Sequence, residues 1–263
     1  MSAPVQWQDI AYAGGQARIE YQWVGTQGAL GPVLVFLHEG LGSLALWKDF
    51  PARICQRLGC TGLVYSRPGY GQSQDLAPPQ PWGIDFMHRQ ARDVLAALLK
   101  ALQVHEPPVL LGHSDGASIA LLYAAMHPEH CRAVIALAPH LFVEAKTLAA
   151  IAALQAQEVR EPLLARLGKH HRDAPAVFRA WSQAWLMPDF IPWSITDTIA
   201  SLRCPVLAVQ GMDDEYGTLT HIQTLARHHA ATELLTLAAC GHAPHRDQSE
   251  RLVAAVFNFL HHL

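Results

Sequence analysis

No run of apolar residues in this chain approaches the roughly 20 needed to cross a bilayer,. A surplus of one charge is also missing. Nineteen Lys and Arg stand against 22 Asp and Glu, for a net charge of −3 with His neutral. So close a balance excludes the basic surface of a nucleic-acid binder and the polybasic face of a protein held on anionic lipid. Cysteine is sparse and odd in number: Cys55, Cys60, Cys131, Cys204 and Cys240. No C-x-x-C occurs, which argues against both a disulfide framework and a zinc site. Three of the five stand in or beside apolar runs and read as small core residues. Met1 to Trp7 show neither the basic start nor the apolar stretch of a signal peptide, so the cytoplasm is the expected compartment,. Histidines are many, with 16 residues. The pairs His170-His171, His228-His229 and His261-His262 lack an i,i+4 His partner with an acid between, and they read as solvated,. No metal and no cofactor is expected.

Apolar residue is plentiful, at 51% of 263 positions. That rules out disorder and suits one large domain, or one domain with an insertion. Strand-length apolar runs recur at Val33–Leu37, Thr61–Tyr65, Val109–Leu111, Ala133–Leu137, Val206–Val209 and Glu233–Leu237. Most are short, β-branched and unalternating, as in parallel strands covered on both faces. Between them, Met87 to Leu102 carries Val94, Leu95, Leu98, Leu99 and Leu102 at helical spacing,. Arg251 to Leu263 closes the chain as an amphipathic helix. Val5–Tyr12 and Ala17–Val24 alternate around Gly14-Gly15, the pattern of an antiparallel hairpin,. The expected fold class is therefore α/β, a mostly parallel twisted sheet with helices on both faces. From about 140 to 199 no strand is apparent, and Trp181, Trp185 and Trp193 fall there. A structureless loop of that length is implausible. The expected organisation is a core of 1–139 and 200–263 with a helical cap, 140–199, packed over one end of the sheet.

Gly112-His113-Ser114-Asp115-Gly116 lies between the Val109–Leu111 strand and the helix-like Ala117–Met126. A strand that turns sharply into a helix strains its central residue and lifts that side chain above the sheet, with small neighbours two positions away on either side. A serine hydroxyl still needs a base, and the base an orienting acid. Gly211-Met212-Asp213-Asp214-Glu215 follows one strand and Cys240-Gly241-His242-Ala243-Pro244-His245 follows the next. Loops at the carboxyl ends of parallel strands converge on one edge.

On these residues the chain resembles the α/β-hydrolase fold family, in its capped serine-esterase-like form. The matching positions are His38-Glu39-Gly40, Ser114 in G-x-S-x-G, Gly211 with Asp214 as G-x-x-D, and Gly241-His242, in the family's order of nucleophile, acid and base,. The Arg67–Ser73 segment resembles the family's R-G-x-G-x-S with Pro68 added. It is expected to shape a turn near the site, and no chemistry is assigned to it. The resemblance implies Ser114 as nucleophile, His242 as base and Asp214 as acid, with neighbouring Asp213 the alternative acid. His245 comes too late for the base and is expected to open the last helix. His113 is expected to be a buried structural neighbour aimed away from the nucleophile. The oxyanion donors implied are the N–H groups of Asp115 and Gly40, with Glu39 an alternative to Gly40. Glu39 and Asp115 bring two carboxylates near the nucleophile. Either they are paired and inert, or they repel anionic substrates and raise the pKa of His242.

The expected reaction is cleavage of a carboxylic ester, a thioester or a lactone of a small to medium molecule through an acyl-enzyme. Carbon–carbon hydrolysis of a ring-fission product is the alternative. It is disfavoured because such acidic substrates need Arg or Lys near the oxyanion hole and these loops offer acids. A non-catalytic small-molecule receptor on the same fold is the reading from another class. The partner expected is a small-molecule substrate, with no nucleic acid and no membrane. The sequence carries no signal of oligomeric state.

Overall fold

The computed structural model describes residues 3–26, 28–29, 31–75 and 82–263. Met1 and Ser2, part of the leader reading above, lie outside them. Nine strands form one sheet: β1 (Gln6–Tyr12), β2 (Gly15–Gly25), β3 (Leu34–Leu37), β4 (Thr61–Tyr65), β5 (Gln74–Asp75), β6 (Val109–His113), β7 (Ala133–Leu137), β8 (Val206–Gly211) and β9 (Thr232–Leu237). Their order is β1-β2-β4-β3-β6-β7-β8-β9, with β5 paired to β2. The pairs from β4 to β9 are parallel, and β2 runs against β1, β4 and β5.

Eleven helices accompany the sheet among the described residues. Before and just after the central strands come α1 (Phe50–Leu58), α2 (Phe86–Arg89), α3 (Ala96–Ala101) and α4 (Asp115–Met126). Between β7 and β8 lie α5 (Ala145–Ala153), α6 (Gln157–Leu167), α7 (Ala174–Leu186) and α8 (Thr196–Ile199). The chain then adds α9 (Thr220–His228), α10 (Pro244–Asp247) and α11 (Ser249–His261).

The period-two geometry of a strand sorts its side chains into two apolar layers. Val35, Leu37, Leu110, Val134, Ala136, Val206 and Ala208 face one side, with α4, Met87, Val94 and Leu98. Leu34, Phe36, Val109, Leu111, Ile135, Leu137, Leu207 and Val209 face the other, against Ile54 of α1 and Leu252, Val256 and Phe259 of α11. Every residue of β3, β6, β7 and β8 is buried, so these strands could not alternate apolar with polar,.

The Met87–Leu102 pattern is not one regular helix. Gln90–Leu95 between α2 and α3 is a π-helical segment. Its wider turn leaves the apolar stripe intact, so spacing alone does not reveal it. The 140–199 region holds no named strand. Strand pairing there is limited to a single bridge between Phe142 and Ser194.

Candidate active site

Four loops at the carboxyl ends of β3, β6, β8 and β9 build the site. The first is the β6–α4 turn. Ser114 adopts φ 53° and ψ −120°, outside the regions a β-carbon tolerates comfortably,. The turn closes only because its flanks are glycines. A β-carbon on Gly112 would lie 2.2 Å from the Gly116 carbonyl oxygen, and one on Gly116 would lie 2.0 Å from that of Leu37. Sheet and elbow are thus in backbone contact, and Ser114 stands above the strand ends, buried but lining a cavity of about 900 Å³.

His242, after β9, places Nε2 2.9 Å from Ser114 Oγ. Its Nδ1 lies 2.9 Å from both carboxylate oxygens of Asp214. Asp214 Oδ1 also accepts hydrogen bonds from the N–H groups of Tyr216 (2.8 Å) and Gly217 (3.1 Å), and Oδ2 from Gln210 Nε2 (2.5 Å). Burial alone would raise this carboxyl, but the His242 ring and these donors hold it below the usual carboxylate range,. Asp213, the other candidate acid, is exposed. The three side chains from 114, 214 and 242 therefore meet at one rim.

Asp115 is the first residue of α4, where the N–H has no intrahelical acceptor,. Gly40 lines the same cavity from the β3 loop. It is held against a tryptophan of α7: a β-carbon there would lie 2.0 Å from Trp181 Nε1. The loop itself is fixed from beneath. His38 is fully buried, its Nδ1 donates to the Glu39 carbonyl (2.8 Å), and its Nε2 accepts from the Arg67 N–H (3.1 Å). Burial drives the His38 pKa well below that of a free imidazole, so the ring is neutral. The Arg67 guanidinium is buried too. It donates to the Glu39 carbonyl at 2.7 Å and lies 4.4 Å from the Tyr70 ring centroid. The Arg67–Ser73 segment thus braces the β3 loop. The sequence pattern marks a turn there and gives no hint of a buried cation.

Both acids beside Ser114 have polar neighbours. Glu39 lies 3.6 Å from His113 Nδ1 and 3.7 Å from Arg246. Asp115 Oδ1 accepts from Trp185 Nε1 at 3.2 Å. Burial pushes the Asp115 carboxyl up to about 6, against the opposing pull of Arg67 and the Trp185 bond. His113 is buried, yet it is more than a neighbour. Its Nε2 donates to the His242 carbonyl at 2.6 Å, so the residue before the serine holds the histidine loop. His245 sits in α10, ahead of the last helix, with its ring on Trp47 and His113.

The helices after β7 reach the site at two places. From α5, Lys146 Nζ donates to the Asp214 carbonyl and Thr147 Oγ1 to that of Tyr216 (2.6 Å). In the α6–α7 turn, His171 Nε2 donates to the Leu41 carbonyl at 3.0 Å, and its Nδ1 accepts from the Gly71 N–H at 2.9 Å. Trp181 and Trp185 of α7 line the cavity with Ile151, Leu163 and Leu167. Trp193 instead packs against Phe190 and Trp185. Among the described residues, no three His, Cys, Asp or Glu side chains gather as a metal-binding group. No helix is long and apolar enough to cross a membrane.

A family model described as "alpha/beta hydrolase fold" matches residues 32–190. The chain belongs to the α/β-hydrolase fold family. Among curated members, it is 26% identical over 209 residues to "Serine hydrolase BPHL" of Mus musculus, covering 73% of this chain and 68% of that one. It is 24% identical over 256 residues to mouse "sn-1-specific diacylglycerol lipase ABHD11", covering 87% and 81%. The mouse "Protein phosphatase methylesterase 1" is 33% identical over 99 residues, 37% of this chain, and the match spans only 25% of that protein's length. Among solved structures, an esterase from Thermogutta terrifontis aligns with TM-score 0.74 at 19% identity, over 97% of this chain and 98% of its own. At that identity the likeness speaks for the α/β-hydrolase fold alone.

Proposed function

We propose that this member of the family is a serine hydrolase that cleaves carboxylic esters of small to medium molecules through an acyl-enzyme. The observation that carries the reading is the 2.9 Å approach of His242 Nε2 to the Ser114 hydroxyl, with the Asp214 carboxylate on the other ring nitrogen. His242 removes the hydroxyl proton as Ser114 Oγ attacks the ester carbonyl, and it returns that proton to the departing alcohol. Asp214 fixes the tautomer and stabilises the imidazolium. The N–H groups of Asp115 and Gly40 receive the oxyanion, and each such donor lowers the barrier by about 3 kcal/mol. Water then repeats the sequence on the acyl-enzyme. Residues 140–199 act as a cap whose tryptophans wall the acyl side of the cavity.

The test combines labelling and turnover. A fluorophosphonate should modify Ser114, and a chromogenic short-chain ester should show a burst followed by steady release. Ser114→Ala should lose both, with turnover falling on the order of 10⁵-fold. A single equivalent of product without turnover would instead support a receptor. Turnover of Ser114→Ala at the native rate would remove the mechanism. A panel of matched esters, thioesters and lactones ranks the bond type.

A further inference from the structure

Charged residues of both signs line the cavity. Glu215 and Asp247 stand on the histidine side, and both hold its backbone. Glu215 Oε2 accepts from the His242 N–H at 3.1 Å, and Asp247 Oδ2 accepts from the Gly241 N–H at 2.9 Å. Arg246, on that side, is turned to Glu39. Lys48, Arg166 and Lys169 also line the cavity, and they are exposed. Among the described residues, none of these three makes an ion pair or a side-chain hydrogen bond.

The three cations come together through the fold. Lys48 ends the 3₁₀ turn Leu44–Trp47 that follows the Gly40 loop. Arg166 and Lys169 lie at the end of α6, and the His171 bond to Leu41 lays that turn on the same loop. Leu41 and Leu46 line the same cavity. Two of the chain's four lysines thus line this opening. Lys48 moreover has φ 54° and ψ −130°, a conformation that favours glycine over a β-carbon,. The chain holds a long cation at a position where glycine would relax the backbone.

We infer that the cavity takes an anionic ester, with a carboxylate or phosphate of the substrate held by Lys48, Arg166 and Lys169 while its carbonyl lies at Ser114. The inference rests on the hydrolase reading above and names the substrate class of that same site. Unpaired like charges lining one cleft draw in an anion, and the acids tethered to the histidine loop, Glu215 and Asp247, disfavour it there,. Of the two acids for which the sequence leaves repulsion of anions open, Glu39 has the Arg246 guanidinium 3.7 Å away and Asp115 Oδ1 accepts from Trp185.

The anion can sit on the acyl part or on the alcohol part, and two pairs of esters separate these. The first is the 4-nitrophenyl monoester of glutarate against 4-nitrophenyl pentanoate. The second is 4-carboxyphenyl pentanoate against phenyl pentanoate. In at least one pair, kcat/KM at low salt should favour the anionic member about tenfold, as expected of three partly screened charge contacts. The preference should shrink as ionic strength rises. It should vanish in Lys48→Gln/Arg166→Gln/Lys169→Gln and reverse in the corresponding triple Glu variant. The neutralised variant serves if charge reversal impairs folding. Equal rates for both members of both pairs, or a preference that survives neutralisation, would overturn the inference while leaving the hydrolase reading in place. No turnover of any ester, together with no labelling of Ser114, would overturn the hydrolase reading and this inference with it.

Discussion

Replacing the Asp115 carboxyl by an amide should stabilise the protein above pH 6. Asp115 is 1% exposed, and its carboxyl is pushed from 3.8 to about 6. That rise corresponds to about 3 kcal/mol. The sign follows from which state loses its proton first. Between pH 4 and 6 the unfolded chain ionises Asp115 while the folded one still holds the proton. Stability from this group is therefore fully present below pH 4, and it is lost as pH rises through 6. Asn has no such dependence, and its side-chain oxygen can still accept from Trp185 Nε1. The difference in unfolding free energy between Asp115→Asn and the native chain should be small at pH 4 and about 3 kcal/mol in favour of Asn at pH 7.5. In a domain of this size that is a rise in midpoint of about 6–12 °C. Urea titrations of both proteins at the two pH values measure it. The carboxyls held below their usual range, Glu39, Asp214 and Glu144, titrate in the opposite sense and are present in both proteins; Glu39, whose charge adds to the rise at Asp115, is the one coupled to it. A variant with an unchanged pH slope, or one less stable at pH 7.5, would refute the argument. The native chain would then be shown to tolerate this carboxylate at no cost, as a helix N-terminus can.

Three further outcomes follow from the geometry. Asp214→Asn should lower ester kcat by on the order of 10⁴-fold, while Asp213→Asn, at an exposed position, should stay within about twofold in the same steady-state assay,. Gly40→Ala would put a methyl 2.0 Å from Trp181 Nε1, and it should reduce kcat/KM by about 100-fold with little change in KM,. The double variant Gly40→Ala/Trp181→Phe removes that nitrogen and should recover part of the loss. Gly116→Ala sets a methyl 2.0 Å from a main-chain carbonyl that cannot yield, so it should destabilise the fold by about 3 kcal/mol or more, read as a lower urea midpoint,.

The sheet was legible because parallel strands with two covered faces must be short and continuously apolar, as Leu34–Leu37 and Ala133–Leu137 are,. The serine turn was legible because two backbone contacts demand glycine at 112 and 116. The family resemblance pointed to Asp214 and His242, with Asp213 open as the acid, and Asp214 and His242 are the side chains that meet at Ser114. The braces were not legible. Arg67 and His38 lie 29 residues apart and carry no pattern that marks a buried cation. The cavity's cations escaped for the same reason. Lys48 belongs to a turn after the first loop and Arg166 to a helix more than 100 residues later. Only the docking of His171 on Leu41 makes them neighbours.

That docking has a partner on the opposite bank, where Lys146 and Thr147 grip the peptide backbone beside Asp214. The helices between β7 and β8 are consequently fastened at two places, to the loop of Asp214 and to the loop of Gly40. Moving them aside would pull on both loops at once. A mouth held on both banks should admit slender esters faster than bulky ones, an outcome that rates over esters of graded width would check.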